Sequence, residues 1–398
     1  MEPRALLRRS AHFVRGVLCA LAISLVALAG CGGEPSPPPE EAPAETLNVE
    51  EGTTEEVGRL GIRDAVGQMF VVGMSGTEPD YYIEKMVRER NVGGVLLFGS
   101  NMESEEQTRR LVDSLQELSM QTEPAVPLFV AVDHEGGEVQ SAPWMPAQPP
   151  AAEVGERADP EEARRIAERI GRELRRGSVN TNFAPVVDTG FGTAIGSRSY
   201  GDDPALVAGM GIAAVEGFER TGIVSAAKHF PNHGAALEDS HTGRPRVDHD
   251  AQTFAKWDLP PFRAAIEAGV PMMMVGHLVY PAIDAARPAS LSPGAVKLLR
   301  GELGFDGVIV TDDLVMEGAK RGGTTAEAAI AAVKAGMDLL LISGPAEEQA
   351  TAYDAVVTAV ESGEIPRERI EASVQRIKDV KDRYPLYGRD RSRSADGP

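Results

Sequence analysis

The chain has 398 residues, and its 60 acidic and 40 basic residues give a formal net charge of −20 at pH 7. Its length allows one large domain or two ordinary ones, and its hydrophobic fraction of 42% is ordinary for a globular protein. Because nucleic acids are bound by basic surfaces, so acidic a composition argues against a nucleic-acid-binding protein.

The first thirty residues have the pattern of a secretory signal. Four arginines precede an apolar segment, residues 16–29, which is too short for a confident membrane span. The segment ends in Leu28-Ala29-Gly30-Cys31, which resembles a bacterial lipobox. This resemblance implies that residues 1–30 are a lipoprotein signal peptide and that Cys31 is lipidated. An ordinary signal peptide or an uncleaved anchor helix is the alternative.

Residues 31–57 are rich in proline and glutamate and predict a disordered tether. An anchor followed by a tether would hold a folded domain a short distance from a membrane surface, outside the cytoplasm. Residues 388–398, which carry several arginines, are predicted to be a disordered tail. The folded domain is therefore expected at residues 58–387.

Apolar runs alternate with helical patterns along this domain. The runs are residues 69–74, 92–98, 128–132, 182–187, 223–227, 272–275, 308–311 and 337–342. The helical patterns are residues 103–120, 160–176, 203–220, 253–268, 293–303, 325–335, 346–362 and 367–382. Short, continuously hydrophobic runs are typical of strands in a buried parallel sheet.

Eight such strands alternating with helices predict an α/β fold, a single (β/α)8 TIM-type barrel. A doubly wound sheet is the competing architecture. It usually binds a nucleotide through a glycine-rich turn after the first strand. Here the first run leads into Gly73-Met74-Ser75-Gly76, which does not complete that pattern, so the barrel is favoured.

Polar residues follow the ends of five predicted strands, where barrel enzymes place their chemistry. They are Asp133, His134 and Glu135 after the third strand, Asp188 after the fourth, Lys228 and His229 after the fifth, His277 after the sixth, and Asp312 and Asp313 after the seventh. One aspartate after a strand is often only a helix cap. Convergence at five ends instead predicts a site, and this inventory suits sugar chemistry.

A metal-dependent barrel hydrolase is the runner-up from the inventory alone, since histidines and aspartates are plentiful. The sequence has no H-E-x-x-H pair and no cysteine cluster, which are common zinc patterns. The prediction is therefore that the protein uses neither a metal nor an organic cofactor.

Four motifs, spread over about residues 60 to 385, resemble glycoside hydrolase family 3 in its bacterial β-N-acetylhexosaminidase branch. They are Asp133-His134-Glu135-Gly136-Gly137, Ile195-Gly196-Ser197-Arg198-Ser199-Tyr200-Gly201, Lys228-His229-Phe230-Pro231-Asn232-His233-Gly234 with Asp239-Ser240-His241, and Thr311-Asp312-Asp313-Leu314-Val315-Met316. They occur in the family's order, each at a strand end or in the loop after it.

The resemblance implies a role for each residue. Asp312 would be the nucleophile of a retaining reaction, and His241 the general acid/base, oriented by Asp239. Asp133, Arg198, Lys228 and His229 would bind hydroxyls of the terminal sugar, and His277 would line the site. A histidine suits the proton-transfer role because its ordinary pKa lies near neutrality.

Four residues depart from the family pattern. Asn232 stands where a glycine is usual, and asparagine tolerates left-handed backbone better than most residues. Ala235 replaces a residue that is often polar or acidic, while Glu138 and Ser141 stand where the branch often has arginine. The loss of positive charge near the entrance leaves the aglycone preference open.

The sequence thus predicts a lipid-anchored, extracytoplasmic β-N-acetylglucosaminidase acting on peptidoglycan-derived fragments, as a monomer with carbohydrate as its partner. Within the family, a β-glucosidase, a β-xylosidase or a phosphorylase remains open. A fourth alternative belongs to another class of protein, a catalytically inactive lipoprotein that binds cell-wall fragments.

Overall fold

The structure, a computed structural model, describes residues 60–387. The predicted signal peptide, Cys31, the tether and the tail lie outside the described residues, so they stay predictions. Within this range no helix is both long enough and apolar enough to span a bilayer.

The described residues form a parallel barrel with one small hairpin. The strands are β1 (Phe70–Gly73), β2 (Gly94–Leu96), β3 (Phe129–Val132), β4 (His134–Gly136), β5 (Val139–Gln140), β6 (Thr181–Asn182), β7 (Val224–Phe230), β8 (Met272–Val275), β9 (Val308–Thr311) and β10 (Leu340–Ile342). Strands β4 and β5 pair antiparallel, and the other eight form one sheet in the order β10-β1-β2-β3-β6-β7-β8-β9. A parallel bridge between Val310 and Leu339 joins its two ends. The predicted TIM-type barrel is confirmed.

Helices surround the sheet. They are α1 (Ile62–Gln68), α2 (Tyr81–Arg88), α3 (Glu105–Met120), α4 (Ala151–Arg157), α5 (Pro160–Arg176), α6 (Pro204–Glu219), α7 (Ala251–Thr253), α8 (Leu259–Glu267), α9 (Pro293–Lys297), α10 (Glu317–Lys320), α11 (Thr325–Ala335), α12 (Ala346–Glu361) and α13 (Arg367–Arg383). Single π-helical turns, Phe254–Asp258 and Leu298–Glu302, precede α8 and follow α9.

Local sequence explains where the best-defined elements begin. Helix α5 starts at Pro160, and the Asp159 side chain accepts a hydrogen bond from the Glu161 backbone N–H. Helix α11 follows a capping box between Thr324 and Glu327. The barrel strands are buried along their whole length, which their continuous apolar runs predict.

The sequence-based bounds were wrong at several elements, among them the helix predicted at 253–268, which is α-helical mainly over Leu259–Glu267. The strand predicted at residues 182–187 is only Thr181–Asn182, since Pro185 has no N–H for a continued ladder. The strand predicted at 223–227 continues to Phe230, so Lys228 and His229 lie within β7. The predicted helix at 293–303 changes to a π-helical turn at Leu298.

Candidate active site

A cluster of buried charges lies where β3 and β7 end. The Lys228 ammonium lies 2.5 Å from Asp133 Oδ1 and 2.8 Å from Glu135 Oε1. Arg198 donates two hydrogen bonds to the same Glu135. They measure 2.8 Å from Nε to Oε2 and 2.7 Å from Nη2 to Oε1. A bidentate pair of this kind fixes the guanidinium plane. Three predicted binding residues are therefore held together through Glu135.

Glu135 is the residue of this cluster to which sequence reasoning gave no role. Burial alone would raise the pKa of Glu135, but the charges and hydrogen bonds of Lys228 and Arg198 outweigh it and lower the pKa to about 2. Burial acts to lower the pKa of Lys228, yet Asp133 and Glu135 raise it overall. Glu135 is thus ionised at neutral pH. In the sequence, only its place as the second acid of D-x-E-G-G pointed to it.

Asp188 organises the two histidines of the β7 motif. Its carboxylate is fully buried, with Oδ2 2.7 Å from His229 Nδ1 and 3.1 Å from the His229 backbone nitrogen. Oδ1 accepts a hydrogen bond from the His233 backbone N–H at 2.5 Å. His229 Nε2 lies 3.4 Å from Arg198 Nη2, so His229 belongs to the same group of side chains.

The two aspartates after β9, Asp312 and Asp313, differ in their hydrogen-bond partners. Asp313 accepts backbone N–H bonds from Val315 at 3.2 Å and Ser343 at 3.1 Å, and its other oxygen bonds the Ser343 hydroxyl. Asp312 accepts one hydrogen bond, from the Asp313 backbone N–H at 2.8 Å. Its other oxygen has no hydrogen-bond partner among residues 60–387. Asp313 is a loop anchor, whereas Asp312 keeps an oxygen available for chemistry.

The surroundings of Asp312 favour its ionised form. Burial pushes its pKa upward, but the nearby His277 and His229 rings, the Asp313 backbone N–H and the Lys228 ammonium lower the pKa to about 2. The residue as a whole is partly exposed to solvent. Asp312 is therefore an ionised carboxylate in a partly exposed residue at the carboxyl end of the barrel.

His277 is hydrogen-bonded to the loop that follows β9. It is fully buried, with Nε2 2.9 Å from the Asp313 carbonyl oxygen and Nδ1 2.7 Å from Ser290 Oγ. A carbonyl only accepts, so Nε2 donates to it and the neutral ring accepts the serine proton at Nδ1. Burial lowers the pKa of His277 despite the nearby Asp312. Contact of His277 with substrate stays a prediction.

Asp239 and His241 form an exposed dyad in the loop after β7. Asp239 Oδ1 lies 2.7 Å from His241 Nδ1 and accepts the His241 backbone N–H at 2.9 Å. Burial would raise the pKa of Asp239, but these hydrogen bonds lower it. The His241 side chain is 66% exposed, so its Nε2 is open to a ligand. The structure places these two side chains in contact, and their catalytic roles stay a prediction.

Ser240, between the two dyad residues, ties the loop to the barrel. Its buried Oγ lies 2.9 Å from His233 Nε2. Its carbonyl oxygen accepts a hydrogen bond of 3.1 Å from the Gly318 backbone N–H in α10, just beyond Asp312. The loop that carries His241 is thus bonded to the loop that carries the carboxylate. Sequence reasoning gave Ser240 no role.

The departures from the family pattern lie at or near the same end. The exposed Glu138 accepts a hydrogen bond from Ser197 Oγ at 3.1 Å, and Ser141 Oγ donates to the Asp133 carbonyl at 2.6 Å. Asn232 is buried with φ 145°. No group of three or more histidine, cysteine, aspartate or glutamate side chains within residues 60–387 is arranged to hold a metal ion.

A barrel with an available carboxylate on one strand end and a carboxylate-bound histidine on the neighbouring loop has the site of a glycoside hydrolase. The model of the glycosyl hydrolase family 3 N-terminal domain matches residues 61–380. The chain belongs to glycoside hydrolase family 3.

Relatives and solved structures agree with this membership. The chain is 34% identical to beta-hexosaminidase A of Pseudoalteromonas piscicida, covering 76% of this chain and 55% of that protein. It is 37% identical to a beta-hexosaminidase of Methylobacillus flagellatus, with 68% and 78% covered. A family 3 beta-N-acetylglucosaminidase structure from Paenibacillus superposes with a TM-score of 0.81 at 39% identity, covering 84% of this chain and 65% of that one. The chain thus spans little more than half of the first relative.

Proposed function

We propose that the protein is a retaining β-N-acetylglucosaminidase that removes terminal β-linked N-acetylglucosamine from an oligosaccharide or wall fragment. The observation that carries this proposal is that the loop with the exposed Asp239–His241 dyad is hydrogen-bonded, through Ser240, to the segment that follows Asp312, an ionised carboxylate with one unbonded oxygen. Relatives named beta-hexosaminidase support the choice of sugar.

In the first step, a carboxylate oxygen of Asp312 attacks the anomeric carbon and the glycosidic bond breaks. His241 Nε2 gives its proton to the departing oxygen, so the aglycone leaves as an alcohol and the sugar remains as an ester of Asp312. Asp239, which holds Nδ1, stabilises the imidazolium before transfer and fixes which nitrogen carries the mobile proton.

In the second step, water attacks the anomeric carbon from the side that the aglycone left. Neutral His241 takes a proton from this water, the ester bond breaks, and Asp312 regains its carboxylate. Two inversions at the same carbon retain the β configuration. Asp133, Arg198, Lys228 and His229, held by the ion-pair cluster, are proposed to bind the sugar hydroxyls.

The finer proposals concern location. The lipobox-like leader and the tether support an extracytoplasmic enzyme, attached to a membrane through lipid on Cys31 and working on peptidoglycan-derived fragments. A monomer is proposed.

A phosphorylase is the second candidate. The acid/base is a histidine rather than a carboxylate, and a neutral imidazole repels an incoming phosphate less than a carboxylate would. In that case the products in phosphate buffer would include a sugar phosphate, whereas a hydrolase releases free sugar in every buffer.

The test uses the 4-nitrophenyl β-N-acetylglucosaminide and β-glucoside with the wild-type enzyme and its Asp312→Asn variant. We expect turnover of the first compound only, and a loss on the order of 10⁴-fold in the variant. Equal turnover of the glucoside would indicate a β-glucosidase, and the xyloside tests a β-xylosidase in the same way. Binding of wall fragments by folded protein without turnover in any buffer would support the inactive-lipoprotein alternative.

A further inference from the structure

Asn232 has an unusual backbone at the start of the catalytic loop, residues 231–250. It follows β7, is fully buried, and has a φ of 145°, where side chains other than glycine are uncommon. This backbone conformation costs free energy, which the contacts of the side chain must offset.

The Asn232 amide makes four hydrogen bonds. Oδ1 accepts from the backbone N–H groups of Thr189 and Gly234, both at 3.0 Å. Nδ2 donates to the Thr189 carbonyl at 3.1 Å and to Asp258 Oδ1 at 2.7 Å. Both lone pairs and both protons of the amide are therefore used.

Asp258 carries this connection to the other end of the loop. Its fully buried carboxylate bonds Asn232 through Oδ1, and Oδ2 lies 2.7 Å from His249 Nδ1. His249 precedes α7, where the loop ends. Tyr280 adds a hydrogen bond of 2.5 Å from its hydroxyl to the Asn232 carbonyl. The loop thus enters and leaves the barrel at points joined through one buried carboxylate.

We infer that Asn232 is a positioning residue for the general acid/base: by joining Asp258 and His249, it fixes both ends of the loop that carries His241. This inference rests on the proposed function. A glycine, usual here in the family pattern, could adopt the same backbone but would supply none of the four side-chain bonds. This chain therefore holds its catalytic loop by a side chain.

The leaving group separates this role from a merely structural one. A sugar alcohol is a poor leaving group and needs the proton of His241, whereas 2,4-dinitrophenolate departs without it. The ratio kcat/KM reports cleavage of the glycosidic bond for both substrates. A displaced His241 must therefore impair the two substrates unequally, and a general loss of folded enzyme impairs them equally.

The experiment measures kcat/KM for N,N′-diacetylchitobiose and for 2,4-dinitrophenyl β-N-acetylglucosaminide. With Asn232→Gly we expect at least about a tenfold loss on chitobiose and less than about a twofold change on the dinitrophenyl compound. Asn232→Asp places a second carboxylate beside Asp258 and should lose more. The exchange N232D/D258N restores a donor–acceptor pair and should regain part of the chitobiose activity.

The matched control is Asn180→Ala. Asn180 is equally buried, but its side chain bonds Val130 N and Leu128 O at the opposite end of the barrel. We expect it to lower stability without altering the ratio between the two substrates. If Asn232→Gly does not fold, His249→Ala breaks the other end of the same connection from a partly exposed position.

Equal losses on both substrates, or no loss, in the folded variant would overturn the inference. Failure of the wild-type enzyme to cleave either substrate would instead refute the proposed function.

Discussion

At the scale of single residues, two neighbouring aspartates differ in their hydrogen bonds. Asp312 and Asp313 are chemically identical, yet both oxygens of Asp313 accept hydrogen bonds from backbone N–H groups and a hydroxyl. The motif, not the residue type, predicted Asp312 as the nucleophile. The loop geometry supplies a physical reason for that prediction, because both oxygens of Asp313 already accept hydrogen bonds and only Asp312 has an oxygen without a partner among residues 60–387.

Glu135 is the residue whose removal should be most costly at the site. Glu135→Gln leaves Lys228 and Arg198 buried with less compensating charge, so we expect a loss of about 3–5 kcal/mol in the free energy of unfolding. Denaturant titration at pH 7 measures it. The ion pairs of Glu135 stabilise the folded protein at pH values above the unfolded pKa of about 4.5. This stabilisation is lost as the pH falls towards 2, so the difference in the free energy of unfolding between wild type and variant should shrink in acid.

The control for that prediction is an exposed pair. Glu371→Gln removes a partner of Arg367 on the surface of α13, where solvent screens the charges. We expect a change within about 1 kcal/mol. A similar cost for both variants would mean that the buried cluster stabilises the fold no more than a surface pair does.

At the scale of elements, periodicity predicted helices better than loops. The bounds of α5 and α11 agree with the predicted 160–176 and 325–335, since caps and Pro160 mark them in the sequence. Helix α2 (Tyr81–Arg88) was not predicted. The contacts of Ser240 and Asn232 were also beyond prediction, because they join residues that are distant in the chain and leave no periodic pattern.

The packing of α10 against the catalytic loop gives a prediction at this scale. A Cβ at Gly318 would lie 2.9 Å from His277 Cβ and 3.1 Å from the Ser240 carbonyl oxygen. Gly318→Ala should therefore push the two loops apart and lower kcat by about tenfold, since catalytic geometry tolerates little displacement. Steady-state kinetics on the 4-nitrophenyl substrate measure this.

Gly209 in α6 is the matched control, because an added Cβ there meets nothing within 4 Å. Gly209→Ala should keep full activity and gain about 0.5–1 kcal/mol of stability through helix propensity. Unchanged kcat in Gly318→Ala would contradict the tight approach of the two loops.

At the scale of the whole molecule, a second group of buried charges lies at the end of the barrel opposite the site. The carboxyl ends hold the site, while α13 packs across the amino ends. There the fully buried Asp338 is 3.2 Å from Arg376 of α13 and also pairs with Arg300. The sequence predicted α13 as a terminal helix, but its amphipathic pattern does not tell which of its charged residues are buried.

Lys381 of α13 is one of these buried residues. Its ammonium donates to Gln68 Oε1 and the Gly93 carbonyl, both at 2.9 Å, and lies 4.9 Å from the centre of the Phe129 ring. Within residues 60–387 it has no carboxylate partner. Burial lowers the pKa of Lys381 to about 7, so folding at higher pH favours the neutral amine.

The unfolded chain keeps the Lys381 proton up to its ordinary pKa near 10.5, whereas the folded protein releases it above about 7. The free energy of unfolding should therefore rise with pH between these values, by at most about 1.4 kcal/mol per pH unit. Denaturant titrations at pH 7.5, 8.5 and 9.5 measure the slope.

Lys381→Met should remove this pH dependence of the free energy of unfolding without changing kcat, because the site lies at the other end of the barrel. Lys334→Met, at an exposed pair with Glu364, should keep the wild-type slope. A slope that persists in Lys381→Met would assign the pH dependence to another group. It would mean that the pKa of Lys381 is not lowered in the folded protein.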